Sequence, residues 1–288
     1  MASEIKYVFI IEFELDLNNN IYQRILSFSL IDIATANEPC KFTIVQGDDI
    51  EPPPDIFRLY AVSSCPYCER VAIVACKKDI VLEVVNASNI PSIPSRFLWM
   101  DTEGLVPVLR HNGKTMNGSR MIIEYLDDVK TEKSILPDEP YLKAKQEYDA
   151  FKLESVCDAI REISFKNRLT GNVTLLALEL TKAEKMLKSP FYSGEEFGLP
   201  DIVLYPFIQR LFMIRSLIND YFLDVYFPLN YPKLMNWFVR MRTFPEIQAI
   251  QETDTILEDF KICKGYTNTF PNMGYTNTFP LQGFLRLF

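Results

Sequence analysis

Apolar and polar residues alternate in part over residues 6–17, and after the polar run Asn18, Asn19 and Asn20 the chain is apolar again over 21–33. The two-residue period around an asparagine turn predicts a β-hairpin. An acidic, proline-rich stretch follows at 47–55, and its consecutive Pro52, Pro53 and Pro54 can continue neither a helix nor a central strand, which marks it as a linker. Beyond it, 56–62 is strand-like, 66–78 has helical apolar spacing at Val71, Val74 and Ala75, and 80–85 is strand-like again. That succession predicts a β-α-β unit. The apolar stretch 104–109, the polar turn from His111 to Lys114, and Thr115 with Met116 then predict a hairpin, followed by a helix from Ser119 to Val129.

From Pro140 to Leu257 the pattern changes to long periodic segments of charged and apolar residues, interrupted at Gly171, at 189–194 and at Tyr231 and Pro232. This half reads as a helical bundle, with its many aromatic residues (Phe191, Tyr192, Tyr205, Phe207, Trp237 and Phe238 among them) mostly in the core. The chain ends in a tandem repeat, 265–271 and 274–280, too short for a solenoid and read as a tail. The division is therefore 1–54 as an extension with a proline-rich linker, 55–130 as an α/β domain, 140–262 as an all-helical domain, and 263–288 as a repeat-containing tail.

Composition narrows the function. At 288 residues and 48% apolar the chain can bury two modest cores, and a formal charge of −8 with no basic tract disfavours nucleic acid and anionic membrane as partners. The first apolar run is broken by Glu12 and Glu14, unlike a signal segment or a membrane span. Six cysteines in a chain of this length are too sparse for a secreted disulfide framework, so a reducing, cytoplasmic setting is expected. Cys76, Cys157 and Cys263 read as packing residues, and Cys40 falls in the extension; none is given a role.

The chemistry concentrates at Cys65-Pro66-Tyr67-Cys68, where a predicted strand gives way to a predicted helix. A cysteine at a helix N-terminus faces unpaired N–H groups and the positive end of the macrodipole, which favour thiolate over thiol and lower its pKa from ~8.5. Pro66 suits the first helical position, and Cys68, on the same helical face, is a possible resolving thiol. Inert buried cysteines and a metal site are the competing readings. Zinc needs four ligands, and the chain has no second Cys-x-x-Cys and a single histidine, His111, in a turn; no metal is expected. For Val106-Pro107, a cis peptide and an edge-strand proline are equally open. Ser119 opens a helix, where a hydroxyl and free N–H groups make either a small anion site or an ordinary N-cap.

The pieces Cys65 to Val71, Gly104 to Leu109, Asn117 to Asp128, Ile135 to Tyr141, and Phe191 to Asp201, in that order, resemble a glutathione transferase of the omega class, over roughly 55–262. The resemblance implies an α/β thioredoxin-like N-terminal domain followed by an all-α helical domain, the glutathione transferase fold, here with extra N-terminal and C-terminal segments. It implies a cis bond before Pro107, glutathione as co-substrate, a glutathione site of Tyr67, Val106, Pro107 and Ser119 around catalytic Cys65, and a homodimer. It also implies thioltransferase and dehydroascorbate reductase activity on small disulfide or electrophilic substrates.

Two departures bear on the glutathione site. The acidic partner of Ser119 in the family is Gly118 here, and the connector 89–96 has no lysine for the glycine carboxylate, leaving Arg96 as the substitute. Losing two charge-assisted hydrogen bonds weakens binding by roughly 3 kcal/mol, on the order of a hundredfold. A scaffold or binding protein that keeps the fold with weak glutathione affinity is therefore the alternative function. A third departure, Gly198 for the family's Ser or Thr at the start of the 198–201 capping motif, is expected to leave the fold intact.

Overall fold

A computed structural model describes residues 11–15, 21–25, 40–44, 52–62, 64–87, 105–163, 173–215 and 222–250. Two compact units divide at Glu38 and Pro39. In the first, β1 (Ile11–Leu15) and β2 (Ile21–Ile25) pair antiparallel, with Ile11 opposite Ile25 and Leu15 opposite Ile21, as the alternation predicts.

The second unit begins with a short strand, β3 (Lys41–Ile44), followed by β4 (Phe57–Ala61), α1 (Pro66–Lys77), β5 (Val81–Asn86), β6 (Val108–His111), β7 (Lys114–Asn117) and α2 (Ser119–Val129). The sheet order is β3-β5-β4-β6-β7. Strands β3, β5 and β4 run parallel, and α1 supplies the crossover that a parallel β4–β5 pair requires. Strands β6 and β7 are antiparallel and turn at Asn112 and Gly113, both with positive φ. Phe57, Leu59, Tyr60, Val108 and Leu109 are buried, the signature of strands covered on both faces. Arg58 is buried too, opposite Glu83 in register, and donates to its carboxylate at 2.7 and 2.9 Å.

Two expectations need correction here. Residues 1–54 read as an extension and linker, yet Lys41–Ile44 adds an edge strand to the sheet. Four residues with only Phe42 turned inward carry too little apolar periodicity to announce a strand, and the partner lies 40 positions downstream in register. Cys40 and Cys76, given no role by the sequence, are joined in a disulfide. Their separation of 36 residues and the absence of any motif around Cys40 hide the pair from a linear reading.

The helical half consists of α3 (Pro140–Arg161), α4 (Val173–Met186), α5 (Leu199–Arg215), a π-helical turn (Phe222–Tyr226), α6 (Phe227–Asn230), α7 (Pro232–Met241) and α8 (Pro245–Ile250). Pro140 occupies the first position of α3, and the Glu139 carboxylate caps that helix by accepting from the amides of Tyr141 and Leu142. Every residue of α5 from Leu199 to Leu211 is buried, so this helix is the axis of the bundle. Phe191, Tyr192, Tyr205, Phe207, Trp237 and Phe238 are buried around it, as their spacing predicts. Among the described residues no helix is long and apolar enough to cross a membrane.

One buried carboxylate organises the entry to α5. Asp201 accepts from the amides of Tyr192 (2.9 Å), Ser193 (3.1 Å) and Gly198 (3.1 Å), and from the Trp237 indole (2.8 Å). Four donors to one carboxylate satisfy a buried charge that is otherwise costly. The glycine at 198 has a steric cause: a Cβ there would lie 2.7 Å from both the Ile135 carbonyl and the Ser193 hydroxyl. Ser193 Oγ thus stands where a side chain at 198 would reach.

Candidate functional site

Cys65 is the N-cap of α1, with extended backbone (φ −79, ψ 116), and Pro66 is the first helical residue. Its carbonyl accepts from Glu69 N at 3.2 Å, and its own N–H donates to the Val62 carbonyl at 3.0 Å, which locks the strand-to-helix turn. The sulfur therefore sits over the free N–H groups of the first turn.

The Cys65 thiol is held down at about 7. The largest cause is the hydrogen bond from the Cys68 side chain; the backbone N–H groups of Cys68 and Tyr67 and the charge of Arg210 act in the same direction, against desolvation. Cys68 itself is buried, and burial pushes its thiol well above the ordinary range, so it remains a protonated donor to the Cys65 thiolate. The helix terminus, from which a lowered pKa is expected, contributes less than the neighbouring thiol, expected only as a resolving group.

The Val106-Pro107 bond is cis, so of the two readings open in the sequence the structure takes the first. Cys65 Sγ lies 3.9 Å from the Val106 carbonyl, which brings Cys65, Cys68, Tyr67 and the Val106-Pro107 turn into one locus. Tyr67 packs edge-on against Phe207 of α5, ring centroids 5.0 Å apart. Gly118, with φ +84, is the N-cap of α2 and has no side chain to offer; Ser119 is the first residue of the helix, where the sequence places its start, so the N-cap reading of Ser119 is not the one taken. Arg96 lies outside the described residues.

Two buried arginines tie this locus to the helical half, and neither is singled out by the sequence. Arg70 donates bidentately to Glu154 of α3 (both 2.9 Å), from Nε to the Val203 carbonyl of α5 (3.0 Å), and from Nη1 to Ser119 Oγ (3.3 Å). Its guanidinium carbon also lies 5.0 Å from the Tyr67 ring centroid. Ser119 is thus fixed by an arginine that Glu154 neutralises, at a helix start whose free N–H groups suit a carboxylate. Arg210 of α5 donates from Nε to the Ser64 carbonyl (3.0 Å) and pairs with Glu69, both side chains being almost wholly enclosed. It holds the residue before Cys65 and the first turn of α1 together. Glu69 and Arg70 are visible in the sequence as neighbours of the Cys-x-x-Cys pair, but their partners lie 141 and 84 positions away.

A family model described as "Glutathione S-transferase, N-terminal domain" matches residues 59–134, which contain this whole locus. Glutathione transferase omega-1 of Caenorhabditis elegans is 32% identical over 224 residues, covering 73% of this chain and 87% of its own length. Glutathione S-transferase omega-1 of Sus scrofa is 31% identical over 206 residues, covering 69% and 81%. The chain belongs to the omega-class glutathione transferases. Among solved structures, glutathione transferase Omega 1C of Trametes versicolor superposes with a TM-score of 0.64 over 73% of this chain and 96% of its own, at 14% identity, which bears on fold alone. This omega-class chain thus has the thioredoxin-like mixed sheet and following helical half of a glutathione transferase, a family that uses glutathione as substrate.

Proposed function

We propose that this omega-class chain is a thioltransferase and reductase that works through the Cys65 thiolate, with glutathione mixed disulfides and dehydroascorbate as substrates. The supporting observation is the depressed Cys65 thiol, about half ionised at pH 7, beside a neighbour kept protonated. In the first step the thiolate attacks the glutathionyl sulfur of a mixed disulfide, the substrate sulfur leaves and takes a proton, and Cys65 becomes a mixed disulfide with glutathione. A glutathione thiolate then attacks the glutathionyl sulfur, forming oxidised glutathione and returning Cys65 as thiolate. For dehydroascorbate the same two electrons come from two glutathione molecules. Tyr67, the Val106-Pro107 turn and Ser119 are the proposed glutathione contacts, with Arg70 supporting Ser119 from behind.

Burial and protonation of Cys68 favour a single-cysteine cycle over a Cys65–Cys68 disulfide. A Cys68→Ser variant that keeps deglutathionylation but loses protein-disulfide reduction would instead support the dithiol cycle. A homodimer is the proposed state, supported by the exposed Met121 of α2 and Tyr141, Tyr148 and Phe151 of α3, and light scattering tests it; the cytoplasm is its proposed location.

The deciding experiment is mass spectrometry after incubation with oxidised glutathione: a glutathione adduct on the Cys65 peptide and loss of turnover in Cys65→Ala are expected, and full turnover in that variant eliminates the mechanism. Gly118 favours one other reading, a weakly glutathione-binding scaffold. Calorimetry with no measurable glutathione binding and no Cys65 adduct would select it.

A further inference from the structure

The helix that activates Cys65 carries a second sulfur site at its other end. Cys76 lies in the last turn of α1 and is bonded to Cys40, the residue just before β3, with Cα atoms 4.6 Å apart. We propose that Cys40–Cys76 is a second thiol–disulfide site of this chain, opened by a small thiol such as glutathione at Cys40, which leaves Cys40 as the modified position and releases β3 from the sheet edge.

Accessibility decides which sulfur is attacked. Cys76 is 2% exposed and Cys40 is half-buried, so an incoming thiolate reaches Cys40 from outside, in line with a bond whose far end is enclosed. The new bond joins the small thiol to Cys40, the Cys40–Cys76 bond breaks, and its electron pair departs on Cys76, which takes a proton. A second thiol molecule then attacks the mixed disulfide, so that two electrons from two small thiols return both cysteines to thiols. Cys76 departs next to the carbonyl end of α1, where the macrodipole opposes a thiolate; Cys65 occupies the amide end, where it favours one. The two sites on one helix are thus biased in opposite directions: one sulfur is kept reactive, the other is a poor leaving group that keeps its disulfide closed until thiol is plentiful.

The strand has little else to hold it. Its parallel ladder with β5 spans only Lys41 to Ile44; Lys41, Thr43 and Ile44 point to solvent, Ile44 at 75% exposure, and only Phe42 packs against the core. Cys40 Sγ also lies 4.0 Å from the Glu246 carbonyl of α8, so the bridge sits where β3, α1 and α8 meet. Opening it leaves the backbone of β5 from Val81 to Val84 as an uncovered sheet edge. Eleven positions along the helix, ~16 Å, separate Cys76 from Cys65, and the exchange uses no group of the Cys65 locus, so it stands or falls apart from the proposed catalytic cycle.

The test uses the full chain equilibrated in glutathione redox buffers from oxidising to reducing, alkylated under denaturing conditions and mapped by mass spectrometry, alongside amide hydrogen exchange. At the oxidising end the Cys40 and Cys76 peptides are expected to be cross-linked. At intermediate poise glutathione appears on Cys40 and not on Cys76, and exchange over 41–44 and 81–84 rises on the order of a hundredfold. Cys40→Ser should show the fast exchange in every buffer with its thioltransferase turnover equal to the parent. Repeating the titration on Cys65→Ala should change none of this. Absence of the cross-link in oxidising buffer, an adduct on Cys76 instead of Cys40, or slow exchange in Cys40→Ser would each overturn the proposal.

Discussion

The ionisation of Cys65 rests first on a hydrogen bond from the Cys68 thiol, and that ordering is open to a direct test. Replacing Cys68 with alanine removes the donor and leaves the N-terminus of α1, the backbone N–H groups and Arg210 in place. A hydrogen bond to a charged acceptor is worth ~1.5–3 kcal/mol, and one pKa unit corresponds to ~1.4 kcal/mol, so the Cys65 midpoint should rise from about 7 by roughly one to two units. At pH 6.5 the thiolate fraction then falls from about a quarter to a few per cent or less, and the alkylation rate falls roughly tenfold or more. Cys68→Ser keeps a hydroxyl donor in nearly the same place and should recover most of the loss.

The assay is the pH dependence of iodoacetamide reaction at Cys65 in the parent and both variants, with adducts counted on the Cys65 peptide. The sign of the linked stability follows. A thiol whose folded pKa lies below its unfolded value of ~8.5 stabilises the fold at alkaline pH, and the contribution is lost as pH falls through about 7. The melting temperature of the parent, relative to Cys68→Ala, should therefore drop between pH 9 and pH 6. An alanine variant whose alkylation midpoint stays near 7 would refute the assignment and return the helix terminus to first place.

Three further substitutions probe the frame. Arg210→Met strands buried Glu69 and should cost ~3–5 kcal/mol in urea unfolding, more at higher pH, because burial already pushes the Glu69 carboxyl up and the lost cation opposes that. The double variant with Glu69→Gln should recover much of this, and strictly additive losses would show that the pair does not act as one. Gly118→Glu restores the acidic residue of the family at a position with φ +84 and open space around it; about tenfold tighter glutathione binding by calorimetry is expected, with a lower melting temperature from the strained backbone. Gly198→Ser should destabilise by ~1–3 kcal/mol in urea unfolding because its Cβ meets the Ile135 carbonyl, whereas a neutral or stabilising effect would show that the Asp201 loop has room to shift.

Where a signal is local, the sequence carries it. The apolar, strand-like run 56–62, the proline after Cys65 and the Asn112-Gly113 turn each restrict the backbone within a few residues, and β4, α1 and the β6–β7 hairpin lie where those restrictions put them. The bundle as a whole is legible for the same reason, from its helical periodicity, but its axis is not, because Asp201, Gln209 and Arg210 interrupt the apolar run of α5 and are buried all the same. β3 is illegible because it makes sense only beside β5: its four residues are half polar, and their partner is set by register across a long connection. The cis bond before Pro107 stands between these cases, since the residues permit both isomers and only the resemblance to the family distinguishes them.

The Cys65 locus divides along the same line. A cysteine at a helix start is a local feature and predicts a thiolate, but how far the pKa falls depends on groups brought in by the tertiary fold. Arg210 arrives from α5 to fix Ser64 and Glu69, and Arg70 links Ser119 to α3 and α5. Both arginines are enclosed and each spans the two halves, Arg70 reaching out from the α/β half and Arg210 from the helical half, so the orientation of the cysteine loop depends on the packing between those halves. A substitution in α5 that disturbs Arg210 should therefore shift the Cys65 alkylation midpoint upward although it lies some 145 positions from that cysteine, whereas a surface change in α4 should not. Equal midpoints in the two cases would mean that α1 positions its sulfur without help from the bundle.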